Sequence, residues 1–449
     1  MNTTIIRAKR VILYTSSKLI LTLSVAILLC SSFFVFNQDA YSQDSVCLNR
    51  IIEQITADTT ENSFDPSINS DGTWIAFAST SDINGGNPDG NDEIFLFNTT
   101  TGVFTQITDE TAGDSALPSI NSDGTRIAFE STSNINGGNP EGNAEIYFFD
   151  TTTGVFTQVT AETVGDSQNP SINSDGTRIA FRSRANINGG NPGGLTDEIY
   201  LFDTTSGVIT QITNDLVDPS SSPSINSDGT RIAFQTRADI NGGNPENNRE
   251  IYLFDTTTGI FTQITDEPSG DGSFAPSINS DGTRITFVTE ANINGGNPED
   301  NFEIFLFDTT TGVFTQITDE TVGSSTEPSI NSDGTRIAFT SDANLTGGNP
   351  EGNDEVYLFD TTIGTTTQIT DETDTFSSDP SINSDGTRIA FVSNGGMNGG
   401  NPDENAEIFL SICLGPRNVP TLSEWGLIAM AGVLGVVGFM VMRRKRATA

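Results

Sequence analysis

One octapeptide, Pro-Ser-Ile-Asn-Ser-Asp-Gly-Thr, recurs seven times, led by Pro66, Pro118, Pro170, Pro223, Pro276, Pro328 and Pro380. Successive copies stand 52 or 53 residues apart. A strict period of this length requires a propeller, a solenoid or an array, and it overrides the two or three domains that 449 residues would otherwise suggest. Each unit offers four short β segments and no helical period: A (PSIN), B (RIAF), C (EIYLF) and D (VFTQIT). Asp-Gly joins A to B, and Thr-Thr-Gly joins C to D; both turns supply residues tolerant of positive φ. Segments B and C are apolar on both sides, as sheets stacked face to face require. Four-stranded units of this size predict an all-β, seven-bladed propeller.

The strand count fixes how the ring closes. The A, C and D signatures each occur seven times, but the first D copy, Gln54-Ile55-Thr56, precedes the first blade. The last blade ends at its C strand, EIFLSICLG. The N-terminal segment is therefore expected to supply the missing outer strand of blade 7, which removes the free edges. Aligning Gln54 with Gln106 places Cys47 on Thr99, and aligning Glu407 with Glu93 places Cys413 there too. Both cysteines fall at the C–D turn where the chain is interrupted. We expect a Cys47–Cys413 disulfide, which in the loop-entropy picture is worth on the order of 4–5 kcal/mol and fits an oxidising compartment.

The run SINSDGTRIAF…EIYLFDTTTG…QIT resembles the TolB-type, WD-repeat-like propeller repeat over residues 50–412. Ser stands where that family has Pro before Asp-Gly, and Trp74 replaces the basic residue of the first copy. The resemblance implies the fold and leaves the function open.

The chain has a net charge of −39 and no lysine between Lys18 and Lys445. Eight of its 20 basic residues lie in the terminal segments, so the repeats are more acidic still. Such a surface repels nucleic acid and anionic lipid. There is no histidine, which removes Ser-His-Asp triads and histidine metal sites. The acids recur blade after blade, whereas a carboxylate pair for glycoside cleavage would break the symmetry. The B–C loops, such as DINGGNPDGNDE and DINGGNPENNRE, carry oxygen ligands at positions 1, 3 and 12: Asp82, Asn84 and Glu93 in the first, Asp239, Asn241 and Glu250 in the other. They are candidate Ca2+ ligands, although the EF-hand glycine is displaced. The alternative is a loop held by side-chain-to-backbone bonds. Six arginines keep a repeat position, Arg126 to Arg388, whereas Arg182, Arg184, Arg237 and Arg249 cluster in blades 3 and 4 as a candidate grip for a carboxylate or glycan.

The ends address the chain. Residues 1–42 read as a signal peptide with Ala40 and Ser42 before the cleavage point. The propeller occupies 43–415, and 416–449 form a tail with an uncharged run at 426–442, near the lower limit for a membrane span, before a basic end. Pro420, Thr421, Leu422, Ser423, Glu424, Trp425 and Gly426 resemble the IPTL-CTERM sorting signature. The signal peptide implies export by the secretion machinery, and the uncharged run with its basic end implies transient anchoring in the inner membrane by the C-terminal helix; the resemblance implies recognition by a membrane sorting protease and release or attachment outside. The expectation is an exported, non-enzymatic binding module for a surface protein, glycan or matrix. A calcium-dependent matrix component and a secreted glycan hydrolase are the alternatives.

Overall fold

The computed structural model describes Cys47 and residues 49–191, 196–215, 217–266, 272–397 and 400–414. The expected signal peptide, sorting motif and tail helix lie outside the described residues, among which no helix is long and apolar enough to cross a membrane. The compact unit Arg50–Leu414 consists of seven four-stranded antiparallel sheets. Blade 1 runs A Ser63–Ile68, B Trp74–Ser79, C Glu93–Asn98 and D Val103–Gln106, paired in that order. In blade 7, A (Ser377–Ile382), B (Arg388–Ser393) and C (Glu407–Leu414) are completed by Asn49–Gln54. Ile55 and Thr56 continue that pairing by donating their amides to Ile408 O, at 2.8 and 3.3 Å. Cys47 and Cys413 are both disulfide-bonded. The ring is closed as the strand count requires.

Strand B is buried on both faces because each sheet is sandwiched between its neighbours. Ile75, Ala76 and Phe77 are fully enclosed, as are their counterparts in every blade. The B-strand Phe stacks on the C-strand aromatic, for example Phe77 on Phe95 at 5.8 Å and Phe181 on Tyr200 at 5.7 Å. Each such ring contributes about 2–3 kcal/mol of burial. Six blades place Ala between Ile and Phe; blade 5 has Thr286, whose buried hydroxyl has no hydrogen-bond partner. The other blades show that Ala fits there. Thr286→Ala should therefore stabilise the fold by about 1 kcal/mol, seen as a higher midpoint in urea. An unchanged or lower midpoint would mean that the γ-methyl packing outweighs the buried hydroxyl.

Three ladders running from blade to blade surround the axis. The amide of the Ser after Ile-Asn donates to the same Ser carbonyl of the next blade, from Ser70 through Ser122, Ser174, Ser227, Ser280, Ser332 and Ser384 back to Ser70, at 3.1–3.3 Å. The amide of each strand-A Ile donates to a Ser hydroxyl of the preceding blade, as Ile68 does to Ser381 Oγ and Ile120 to Ser67 Oγ. The six repeat arginines form the third ladder: Arg126 donates to Gly176 O at 2.7 Å, and Arg388 crosses the seam to Gly72 O at 2.6 Å. Where Trp74 replaces arginine, its ring lies against Gly124.

The A–B turn also explains itself locally. Asn69 Oδ1 accepts the Trp74 amide, and Asp71 Oδ1 accepts the Thr73 amide and hydroxyl. Gly72 between them has φ 70°.

Strand A departs from expectation. It begins three residues before Pro and bulges, with register shifting between Phe64 and Ser67 in blade 1 and at the same place in the others. The residue before each Pro has φ between 50° and 55°. Residues before Pro normally stay extended, so neither propensity nor pattern announces this conformation.

Candidate functional site

The bulges build the mouth of the axial channel. Antiparallel order puts the B–C and D–A loops on one face, and on that side six of the seven pre-proline residues (all but Ala275) and the Pro-Ser of every blade line a cavity of about 400 Å³. Below it the channel narrows to about 140 Å³ between the Ile-Asn-Ser segments.

From Pro through the B-strand Phe the blades are constant apart from Trp74 and Thr286, whereas the residues just before Pro vary from blade to blade, with only Asp65 and Asp379 alike. The pre-proline residues are Asp65, Leu117, Asn169, Ser222, Ala275, Glu327 and Asp379. The residue before each faces a variable partner near the end of strand B: Phe64 opposite Ala78, Ala116 opposite Glu130, Gln168 opposite Arg182, Phe274 opposite Val288. A further variable residue immediately precedes strand C, such as Asp92, Asp197, Arg249 and Phe302.

These side chains link neighbouring blades and divide the mouth into sectors. Asp65 Oδ2 accepts the Leu117 amide, Glu130 Oε2 the Asn169 amide, and Glu327 Oε2 the Asp379 amide. Blades 6, 7 and 1 form an acidic sector. Burial, then the charges of Glu327 and Asp65, pushes Asp379 up to about 7. Burial, with Asp114 and Asp65 nearby, pushes Asp92 up to about 6. Blade 5 is aromatic, with Phe274 edge-on to Phe302 at 5.2 Å.

The four arginines singled out from the sequence have different surroundings. Arg182 is fully engaged by Asn169 Oδ1 (2.6 Å), Gln168 Oε1 (2.6 Å) and Asp197 (3.1 Å). Arg184 shares the same Asp197 at 3.2 Å and keeps half its side chain in solvent. Arg237 lies near Asp218, whose carboxyl it pulls down against the larger effect of burial. Arg249 lies over the Phe274 ring, 5.2 Å from its centre.

The loop acids serve the loops themselves. Asp82 accepts the Asn87 amide and Asp239 the Asn244 amide, both at 2.8 Å, while Asn84 and Asn241 take positive φ. Glu93 is buried; its Oε1 accepts Asn91 Nδ2 at 2.7 Å and the Glu110 amide at 3.0 Å. Glu250 accepts Asn248 Nδ2 and the Thr265 hydroxyl. Each such Glu thus ties its B–C loop to the following D–A loop. Among the described residues no three acidic or cysteine side chains converge to hold a metal.

Sequence reading missed Arg50. It donates to Ser411 Oγ, and burial, with Arg336 nearby, lowers its pKa to about 10. The signal was Ser411, which breaks the aromatic pattern of strand C.

The terminal segment is identified by direct comparison: residues 419–446 match the model of the IPTL-CTERM motif. The chain carries an IPTL-CTERM motif. Such a motif implies processing by a sorting system at the membrane and suggests export to the cell surface. No curated protein matches this chain in sequence. Similar solved structures share the propeller. Oligogalacturonate lyase from Vibrio parahaemolyticus is 15% identical over 82% of this chain and 98% of its own, with TM-score 0.56. The β-propeller domain of the Trilobed protease from Pyrococcus furiosus is 16% identical over 80% and 99%, with TM-score 0.54, and is described as having an open velcro topology. TolB from Acinetobacter baumannii is 18% identical over 69% and 64%, with TM-score 0.43. At these identities the likeness to the lyase and the protease domain is one of fold.

Proposed function

We propose that this is an exported propeller that binds a ligand without turning it over, and that the ligand sits at the axial mouth of the loop-bearing face. The observation that carries the reading is where the blades differ. A scaffold repeated seven times with a constant interior has diversified around one cavity, as a binding surface grafted on a rigid frame would. The lack of histidine and the engagement of the recurrent glutamates in loop anchoring support a non-enzymatic role. Half-exposed Arg184 is the member of the arginine group best placed to meet a ligand.

The test is a panel of soluble glycans and peptides, scored by melting temperature, with the reaction mixtures read by mass spectrometry. We expect at least one compound to raise the melting temperature saturably while remaining intact, and the shift to vanish when Ser222→Trp, at the position Leu117 holds in blade 2, fills the mouth. Turnover of a glycan would instead make the chain an enzyme. Binding insensitive to Ser222→Trp would place the ligand elsewhere.

A further inference from the structure

Two blades already hold a guanidinium at the mouth, and they show what a third lacks. In blade 3, Arg182 is gripped by Gln168 and Asn169 before Pro170 and by Asp197 before strand C. In blade 5, the residue two before Pro276 is Phe274, and Arg249, which precedes strand C of blade 4, covers its ring. The repeat makes both arrangements comparable with blade 1.

Blade 1 combines the two acceptor sets. Phe64 occupies the Phe274 position, and Asp65 and Asp92 occupy the positions of Asn169 and Asp197. Both places from which an internal cation could come are alanine. Ala78 stands opposite Phe64 where Arg182 stands opposite Gln168. Ala406 stands where Arg249 does: the Ala406 carbonyl accepts the Ser63 amide at 2.8 Å, as the Arg249 carbonyl accepts the Ser273 amide at 2.7 Å. Phe64 packs in the same cluster as Ala406. The Asp92 carboxylate has no hydrogen-bond donor or cation beside it among the described residues, and Asp65 and Asp114 add negative charge around it.

We propose that the junction of blades 7 and 1 binds an arginine side chain of a partner peptide or protein, its guanidinium lying over Phe64 between Asp65 and Asp92. The plane of the guanidinium would meet the ring as Arg249 meets Phe274, and its N–H groups would face the two carboxylates. The inference rests on the axial mouth being the binding face and names the chemistry of one part of its ligand. Because the group is planar and forked, lysine should substitute poorly.

The probe is a terminally blocked Gly-Arg-Gly peptide titrated calorimetrically into the full chain at low salt, with Gly-citrulline-Gly as the neutral counterpart. We expect one saturable site for arginine and at least ten-fold weaker binding of citrulline. Asp92→Asn should weaken the arginine peptide about ten-fold. Ala406→Arg, which installs the internal guanidinium of blade 5, should block the site while raising the melting temperature. Arginine binding that survives both substitutions, or no saturable binding in the millimolar range, would overturn the inference. A ligand from the glycan and peptide panel that is displaced by Ser222→Trp but tolerates Ala406→Arg would sink this site alone and leave the axial mouth standing.

Discussion

Replacing both clasp residues, Cys47→Ser and Cys413→Ser, is expected to produce the largest single loss of stability in this chain. The two cysteines close a loop of nearly the whole propeller, and the loop-entropy model puts the constraint at about 5 kcal/mol. The structure also says where the loss should appear. Without the clasp, the outer strand of blade 7 depends on its pairing with strand C, including the Ile55 and Thr56 amides on Ile408 O, and on Arg50. The inner strands remain tied across the seam by Ser384 to Ser70 and Arg388 to Gly72. Hydrogen exchange in the double variant should therefore accelerate first at Asn49–Gln54 and Glu407–Leu414, before the rest of the ring opens. A melting temperature unchanged by substitution or by reductant would show that the inter-blade ladders alone hold the circle.

The second large effect is an inverted acid response. Burial pushes Glu145 and Glu198 up to about 7, and burial with neighbouring carboxylates does the same for Asp379. In the unfolded chain these groups titrate near 4. Between about pH 4.5 and 7 the folded chain therefore holds protons that the unfolded chain has released, so stability must rise as pH falls through that window. Below it the sign reverses. The Thr257 hydroxyl and Thr258 amide hold Asp255 down to about 2, and the Thr310 hydroxyl and Thr311 amide do the same for Asp308. Their contribution is present above about pH 4 and is lost as pH falls towards 2. Calorimetric melting temperatures should peak near pH 5, with lower values at pH 8 and at pH 3. A profile that climbs steadily from pH 5 to 8 would contradict the burial of the strand-C glutamates.

The sequence made the architecture readable because every blade repeats the same turn and strand chemistry, so an error in one unit is corrected by six others. The missing D strand and the two cysteines at the broken turn were enough to place the closure. What escaped was the information that one unit cannot carry. The Asp-Gly turn was visible, but the reach of Arg126 to the Gly176 carbonyl of the next blade was not, because that partner lies 50 residues away. Gln106 and Gly86 look unrelated in sequence, yet a Cβ on Gly86 would collide with the Gln106 carboxamide oxygen. The bulge before each proline was hidden because that position normally favours extended backbone, and with it went the mouth it creates. The arginines of blades 3 and 4 stood out by their rarity, which drew attention away from the carboxylates and aromatics that vary at the same positions.

The closed ladder of serine amides and carbonyls has one more consequence. It has no first or last member, since Ser384 hands on to Ser70 as Ser70 does to Ser122. Blade 7 differs from the others mainly in wiring: two ends and a sulfur bridge replace one Thr-Thr-Gly turn. A gene cut at another of those turns, with residues 47 and 413 rejoined through a turn like its neighbours, would describe the same object read from a different starting point. For this protein the position of the termini is a property of the message more than of the molecule.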